Sequence, residues 1–227
     1  MNVKDIAIDW IEKNKERIVE ISDLIWEYAE LGLQEYKSSK LLADELEKNG
    51  FKVERGVAGM PTAFVAEWGS GRPVIAVLGE YDALAGLSQK RVPWKEPLKP
   101  GAPGHGCGHN LFAAATLGGA IALKKAMEAG KLNGTIKYFG CPAEETLIGK
   151  VYMARDGLFK GLDFAVNYHP GSMNTISLGS SNAMNSVKFH FFGRASHAGG
   201  SPELGRSALD AVELMDVGVN FLREHVV

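Results

Sequence analysis

The side chains in this 227-residue sequence that can bind cations or move protons recur just after short apolar runs: Asp82, Cys107 with His109, the adjacent Glu144 and Glu145, and His169. Cys107 and His109 are spaced C-x-H. In extended backbone, residues i and i+2 point the same way, so thiolate and imidazole can face one ion. Thiolate, imidazole and carboxylate together make an ordinary zinc shell, and manganese is served where oxygen ligands dominate. Adjacent glutamates repel, and a cation offsets that cost. One of the pair can hold the ion while its neighbour takes a proton from activated water and passes it to the leaving group. A metal lowers the pKa of bound water to about 7, so a carboxylate suffices as base at neutral pH. Hydrolysis is the reaction this equipment suits. Each residue also has a plainer reading: Cys107 as a small buried hydrophobe, the glutamates as a solvated turn, His169 as a strand cap, His105 as a loop residue, Cys141 as structural. The conjunction points to a site. A Cys107–His nucleophile pair that needs no metal is the other chemistry left open.

These residues must be brought together by the elements between them. Trp10, Ile11, Ile18, Ile21, Ile25 and Tyr28 recur at helical spacing, and a second amphipathic helix is expected from Tyr36 to Asn49-Gly50. The period then changes. Short Val-, Ile- and aromatic-rich runs at 51–55, 63–68 and 73–81 read as strands, and Val74–Leu78 is apolar throughout, as a strand covered on both faces would be. An irregular stretch from Asp82 to Gly108 is longer than a connection needs. A small-residue helix over 110–129, a strand over 135–140, a short helix over 151–159 and a strand over 163–168 follow. This alternation predicts an α/β fold, a mainly parallel sheet with helices on both faces, whose site lies beyond the carboxyl ends of the strands. After Pro170 the texture changes to alternating segments at 175–178 and 186–192 and an amphipathic helix over 203–225. We divide the chain into a catalytic domain, 1–182, and the start of a smaller α+β domain, 183–227.

Composition narrows the function classes. With 25 Lys+Arg against 27 Asp+Glu, the net charge of -2 gives no electrostatic footprint for nucleic acid or a membrane surface. The longest nearly apolar stretch, 111–123, is too short to span a bilayer. Charge occupies the start where a signal peptide needs its apolar run, and Cys107 and Cys141 are the only cysteines, so a cytoplasmic location is expected. The segment 104–108 lacks the third glycine of a dinucleotide fingerprint and no phosphate loop follows; H-E-x-x-H and G-x-S-x-G are absent.

Gly-Cys-Gly-His-Asn (106–110), Pro-Ala-Glu-Glu (142–145), Tyr-His-Pro (168–170), Gly-Arg-Ala-Ser-His-Ala (193–198) and Leu-Gly-Glu-Tyr-Asp-Ala-Leu (78–84) are all present. Together they resemble the M20 metallopeptidases, and more narrowly the amidohydrolase branch of the aminobenzoyl-glutamate utilization protein B type. The resemblance implies two divalent ions, Zn or Mn, with Cys107, His109, Glu145 and His169 as ligands, Glu144 as general base and Asp82 behind the ligands. It implies that His197, from a lid and dimerisation domain, reaches the substrate or the oxyanion, and that the enzyme is a homodimer hydrolysing N-acyl amino acids such as p-aminobenzoyl-glutamate. Ala85 stands where relatives commonly have Pro. Family members are much longer, with a late His ligand that neither His190 nor His225 matches, so this chain is expected to end inside the lid. A catalytically incomplete remnant or non-catalytic binding protein is the rival expectation.

Overall fold

The computed structural model describes residues 2–176 and 179–226, and the chain divides into two compact units, Met1–Asn174 and Thr175–Val227. The change in sequence texture puts that boundary after residue 182; by packing it lies after Asn174.

The first unit runs α1 (Val3–Tyr28), α2 (Tyr36–Lys48), β1 (Lys52–Arg55), β2 (Phe64–Ser70), β3 (Val74–Glu80), α3 (His109–Gly130), β4 (Gly134–Cys141), α4 (Gly149–Arg155) and β5 (Phe164–Val166). The strands form one sheet in the order β1-β2-β4-β3-β5. It is mixed rather than mainly parallel. The β4-β3-β5 half is parallel, as the strand-helix-strand alternation predicts, while β1-β2 and β2-β4 pair antiparallel. The pleat sends alternate residues to opposite faces. Ile136 and Tyr138 of β4 join Val77, Phe64 and Ala66 against α1, α2 and α3, where Ile21, Ile25, Leu42, Leu46, Leu117 and Ile121 are buried. Phe139 and Cys141 face the other way, onto Met153 of α4 with Met60 and Ala76. Each large apolar side chain so buried contributes about 1.5–3 kcal/mol before the entropy of ordering it. Helices therefore cover both faces.

The helices start and stop for local reasons. Asn2 and Asp5 form a capping box at the start of α1. In α3, Ala113, Ala114 and Ala120 are fully buried, and these short side chains let the helix lie close to α1 and β3. No helix among the described residues is long and apolar enough to cross a membrane.

Parallel β3 and β4 end in register, Glu80 opposite Cys141. Their continuations, 81–82 and 142–145, leave from one rim of the sheet. The stretch after β5 ends at His169, and α3 begins at His109.

The second unit contains α5 (Ala208–Asn220), capped by Ser207 Oγ, which accepts the Asp210 N–H at 3.1 Å. The helix expected over 203–225 is shorter because the chain is extended at Gly205 and tightens to a 3-10 turn at Phe221–Glu224. The two strands expected here do not form among the described residues: Ser177 and Leu178 lie outside them, and Thr175, Ile176 and residues 186–192 pair with nothing. An alternating segment becomes a strand only when a neighbour completes its ladder. A backbone bridge between Arg194 and Arg206 closes the loop that carries His197. None of the unit's described residues is buried.

Candidate metal centre

His109 is the hub of the rim. Its imidazole is fully buried at the first turn of α3, with Nδ1 2.9 Å from Asp82 Oδ1 and 3.1 Å from the Asp82 carbonyl oxygen. Both partners are acceptors, so Nδ1 carries the hydrogen and Nε2 of the neutral ring presents a lone pair. That Nε2 has no hydrogen-bond partner, although Glu80 Oε2 lies 3.2 Å away and Glu144 Oε2 3.6 Å away. Glu145 Oε1 is likewise buried without a partner, 4.0 Å from His109 Nδ1. Lone pairs converge there with too little positive charge among them. Burial pulls the His109 imidazole down, but the Asp82 hydrogen bond and the charges of Asp82, Glu80 and Glu145 outweigh it and hold it above its usual range. Burial also pushes Glu80 and Glu145 up. Clustered carboxylates and an imidazole of this kind have the chemistry to hold a metal cation.

Cys107 and His169 complete the constellation. Cys107 Sγ lies 3.2 Å from His169 Nε2, and His169 Nδ1 is 2.9 Å from the Pro170 carbonyl, which aims Nε2 at the thiol. One ligand atom each from Cys107, His109 and His169 falls within 4.8 Å of the others, and the same holds for Glu80, His109 and Glu144. The C-x-H spacing converges for a reason other than extended backbone. Gly108 takes φ 83°, ψ 26°, and His109 is already helical, so a left-handed glycine at the helix cap turns the two side chains toward one point. Burial, followed by the charges of Glu145 and Glu144, pushes the Cys107 thiol up to about 11. An activated nucleophile needs the opposite shift, which weighs against a metal-free thiol mechanism. Cys141 is fully buried, its thiol pushed by burial up to about 12.

The glutamate pair sits in a tight turn. Ala143 (φ 53°, ψ 42°) and Leu147 (φ 56°, ψ 33°) both adopt the left-handed region, which costs a residue with a side chain about 1 kcal/mol. The turn is held by Ile148 N–H donating to the Ala143 carbonyl at 3.1 Å and by Glu145 N–H donating to Asp82 Oδ2 at 2.9 Å. Asp82 thus spends one oxygen on His109 and the other on the turn.

The structure brings together Asp82, Cys107, His109, Glu144, Glu145 and His169, all in the first unit. His197 lies in the second unit, where its Nδ1 accepts the Gly199 N–H at 3.1 Å and leaves Nε2 to carry the proton of the neutral ring. His105 is tied to the α1 backbone, Nε2 to the Ile25 carbonyl at 3.0 Å. Two participants do not stand out in the sequence. Glu80 sits within an apolar strand, but two residues before Asp82 in extended chain it shares that residue's face; Lys150 of α4 pairs with its Oε1.

The profile of peptidase family M20/M25/M40 matches residues 76–220, more than half of the chain. The chain belongs to that family. Its M20 segment carries every candidate residue named above. The chain is 47% identical to a p-aminobenzoyl-glutamate hydrolase subunit of Escherichia coli (strain K12), over 96% of this chain and 46% of that protein. It is 32% identical to the Xaa-Arg dipeptidase of Mus musculus, over 99% of this chain and 51% of that one. The M20 chain thus spans about half the length of the curated relatives it matches. Among solved structures, the YXEP protein of Bacillus subtilis, a dinuclear metal binding peptidase from the M20 family, superposes on 68% of this chain and 42% of its own with a TM-score of 0.57 at 24% identity, a likeness of fold.

Proposed function

We propose that this M20 chain carries the metal-binding part of an amidohydrolase that cleaves the amide bond of N-acyl amino acids, p-aminobenzoyl-glutamate among them. The observation that carries the reading is the convergence of Cys107, His109 and His169 beside two buried atoms, His109 Nε2 and Glu145 Oε1, that have no partner. The 47% identity to a protein named for p-aminobenzoyl-glutamate hydrolysis supports the substrate class. Cys107, His109, Glu145 and His169 would hold two divalent ions, zinc or manganese, which supply Lewis-acid polarisation of the amide carbonyl and a water acidic enough to lose its proton near neutral pH.

The rest is done by the chain's own groups. Glu144, the more exposed of the pair, takes the proton from the attacking water and returns it to the amine nitrogen as the amide breaks. Asp82 holds the His109 tautomer and keeps Nε2 free to bind. His197, its proton on Nε2, donates to the substrate or to the developing oxyanion. The two free thiols suit a reducing compartment, the cytoplasm. The chain is similar to both named components of the Escherichia coli hydrolase, at 47% and 30% identity, which supports pairing with a copy of this chain or with a partner like it.

Metal analysis is the test. The protein is expected to bind about two equivalents of Zn or Mn and Cys107→Ser to lose binding; a wild-type protein that takes up no divalent ion sinks the reading. Glu144→Gln is expected to lower kcat for p-aminobenzoyl-glutamate by about 10²–10⁴-fold with metal content unchanged. Loss of metal in that variant would make Glu144 a ligand and move the base elsewhere.

A further inference from the structure

We propose that Glu35, which has no place in the reaction above, is a positioning residue: its carboxylate holds Ala143 in the left-handed conformation and so sets the direction in which Glu144 and Glu145 leave β4. The inference deepens the metal-site reading and rests on it for its catalytic meaning.

Glu35 occupies the N-cap position of α2, yet its side chain makes no capping hydrogen bond to that helix. It turns inward instead and is fully buried. Its Oε1 accepts the Ala143 N–H at 2.8 Å, from a residue 108 positions away. Ala143, also fully buried, is the residue at φ 53° immediately before the glutamate pair. An alanine stays left-handed only where its surroundings over-determine it. Besides Glu35, the Ala143 carbonyl accepts the Ile148 N–H at 3.1 Å and the Thr146 hydroxyl at 3.2 Å, and two further contacts bear on the turn. The loop before α2 lies against the turn so closely that a Cβ on Gly32 would stand 3.1 Å from both Ala143 Cα and Ala143 Cβ. Two residues further on, Glu145 N–H is anchored to Asp82 Oδ2. One acid thus fixes the turn before the pair and another fixes it within the pair.

The far side of Glu35 is built too. Its Oε2 and the Thr62 hydroxyl oxygen are both buried without a hydrogen-bond partner, and Thr62 is the side chain that faces the carboxyl. The Tyr81 hydroxyl donates to the Thr62 carbonyl at 2.6 Å, joining this wall to the chain next to Asp82. Burial pushes the Glu35 carboxyl up, against the Ala143 N–H and the Thr62 hydroxyl, which favour its ionised form. A glutamine keeps the acceptor, its carbonyl oxygen to Ala143, and sets its NH₂ toward the Thr62 hydroxyl oxygen.

The test reads single amides by NMR hydrogen exchange in protein stripped of metal, comparing wild type with Glu35→Ala, Glu35→Asp and Glu35→Gln, alone and with Ala143→Gly. The informative amide is that of Glu145, which Glu35 does not touch. Glu35→Ala, and Glu35→Asp with its carboxylate one methylene short, are expected to speed its exchange at least tenfold; Glu35→Gln stays within threefold. In the Ala143→Gly background the effect of Glu35→Ala should shrink, since glycine needs no enforcement there. Unchanged Glu145 exchange in the Ala and Asp variants, or an undiminished effect in the Ala143→Gly background, overturns the proposal. Cobalt(II) titration is a separate arm: the Ala and Asp variants should bind at least tenfold more weakly than wild type, with a weaker thiolate charge-transfer band. A wild type that binds no cobalt overturns the metal reading, and the exchange data still decide the role of Glu35.

Discussion

Val77 of β3 pairs with Tyr138 of β4 in the buried layer under α3, and three residues further along β3 the environment is reversed. In the layer, polar atoms have partners: the Tyr138 hydroxyl lies 3.3 Å from Thr116 Oγ1, which in turn bonds the Phe112 carbonyl at 2.8 Å. At the rim, Glu80, His109 and Glu145 bring acceptors together, two buried atoms go unpartnered, and Ala143 and Leu147 sit in left-handed backbone. The layer holds the fold, and the rim is tolerated because the layer does. Pre-organised charge before ligand arrives is what a site built to receive a cation requires.

Breaking the layer should cost most. Leu117→Ala, which truncates a buried side chain of the core cluster, is expected to lower the unfolding free energy of the metal-free protein by about 2–5 kcal/mol in denaturant titration. A loss of less than about 1 kcal/mol would mean that the layer does not carry the fold. The rim answers to pH instead. Burial holds His105 at about 4 against an ordinary 6.5, so its contribution is complete above pH 6.5 and is lost as pH falls toward 4. Glu35 and Glu80 are shifted upward and act with the opposite sign, so His105 must be isolated by comparison with His105→Gln. Between about pH 7 and pH 5 the metal-free wild type should lose about 2 kcal/mol relative to that variant; parallel pH profiles would show that His105 does not enter the fold neutral. The smallest expected effect sharpens the contrast within the rim. Lys150→Met removes the cation facing buried Glu80 and should cost about 1–2 kcal/mol, discounted because Lys150 is 35% exposed. Adding Glu80→Gln should recover most of that loss, whereas an equal loss in the double variant would deny the rim its charge imbalance.

Much of this contrast is written locally. The unbroken apolar run of β3 marks a strand covered on both faces, and the polar residues just past β3, β4 and β5 mark the rim, because parallel strands put their carboxyl ends together. The antiparallel pairing of β1 and β2 has no such mark, since the direction of a strand depends on which neighbour it meets. Glu80 hides inside a hydrophobic pattern, and Glu35 reads as one more charged residue at the start of an amphipathic helix. Their partners, Lys150 and Ala143, are 70 and 108 residues away, and only folding reveals the pairings. Residues 186–192 show the converse: alternation without a neighbour stays out of the sheet.

Asp82 has one more consequence. Its carboxylate stands between the first turn of α3 and the turn after β4, one oxygen on each. The spacing of those oxygens is set by covalent bonds and does not relax with side-chain motion. Asp82 therefore works as a gauge block, making the interval between His109 and Glu145 a property of one rigid group rather than the sum of two flexible chains, so thermal drift in either element carries the other with it.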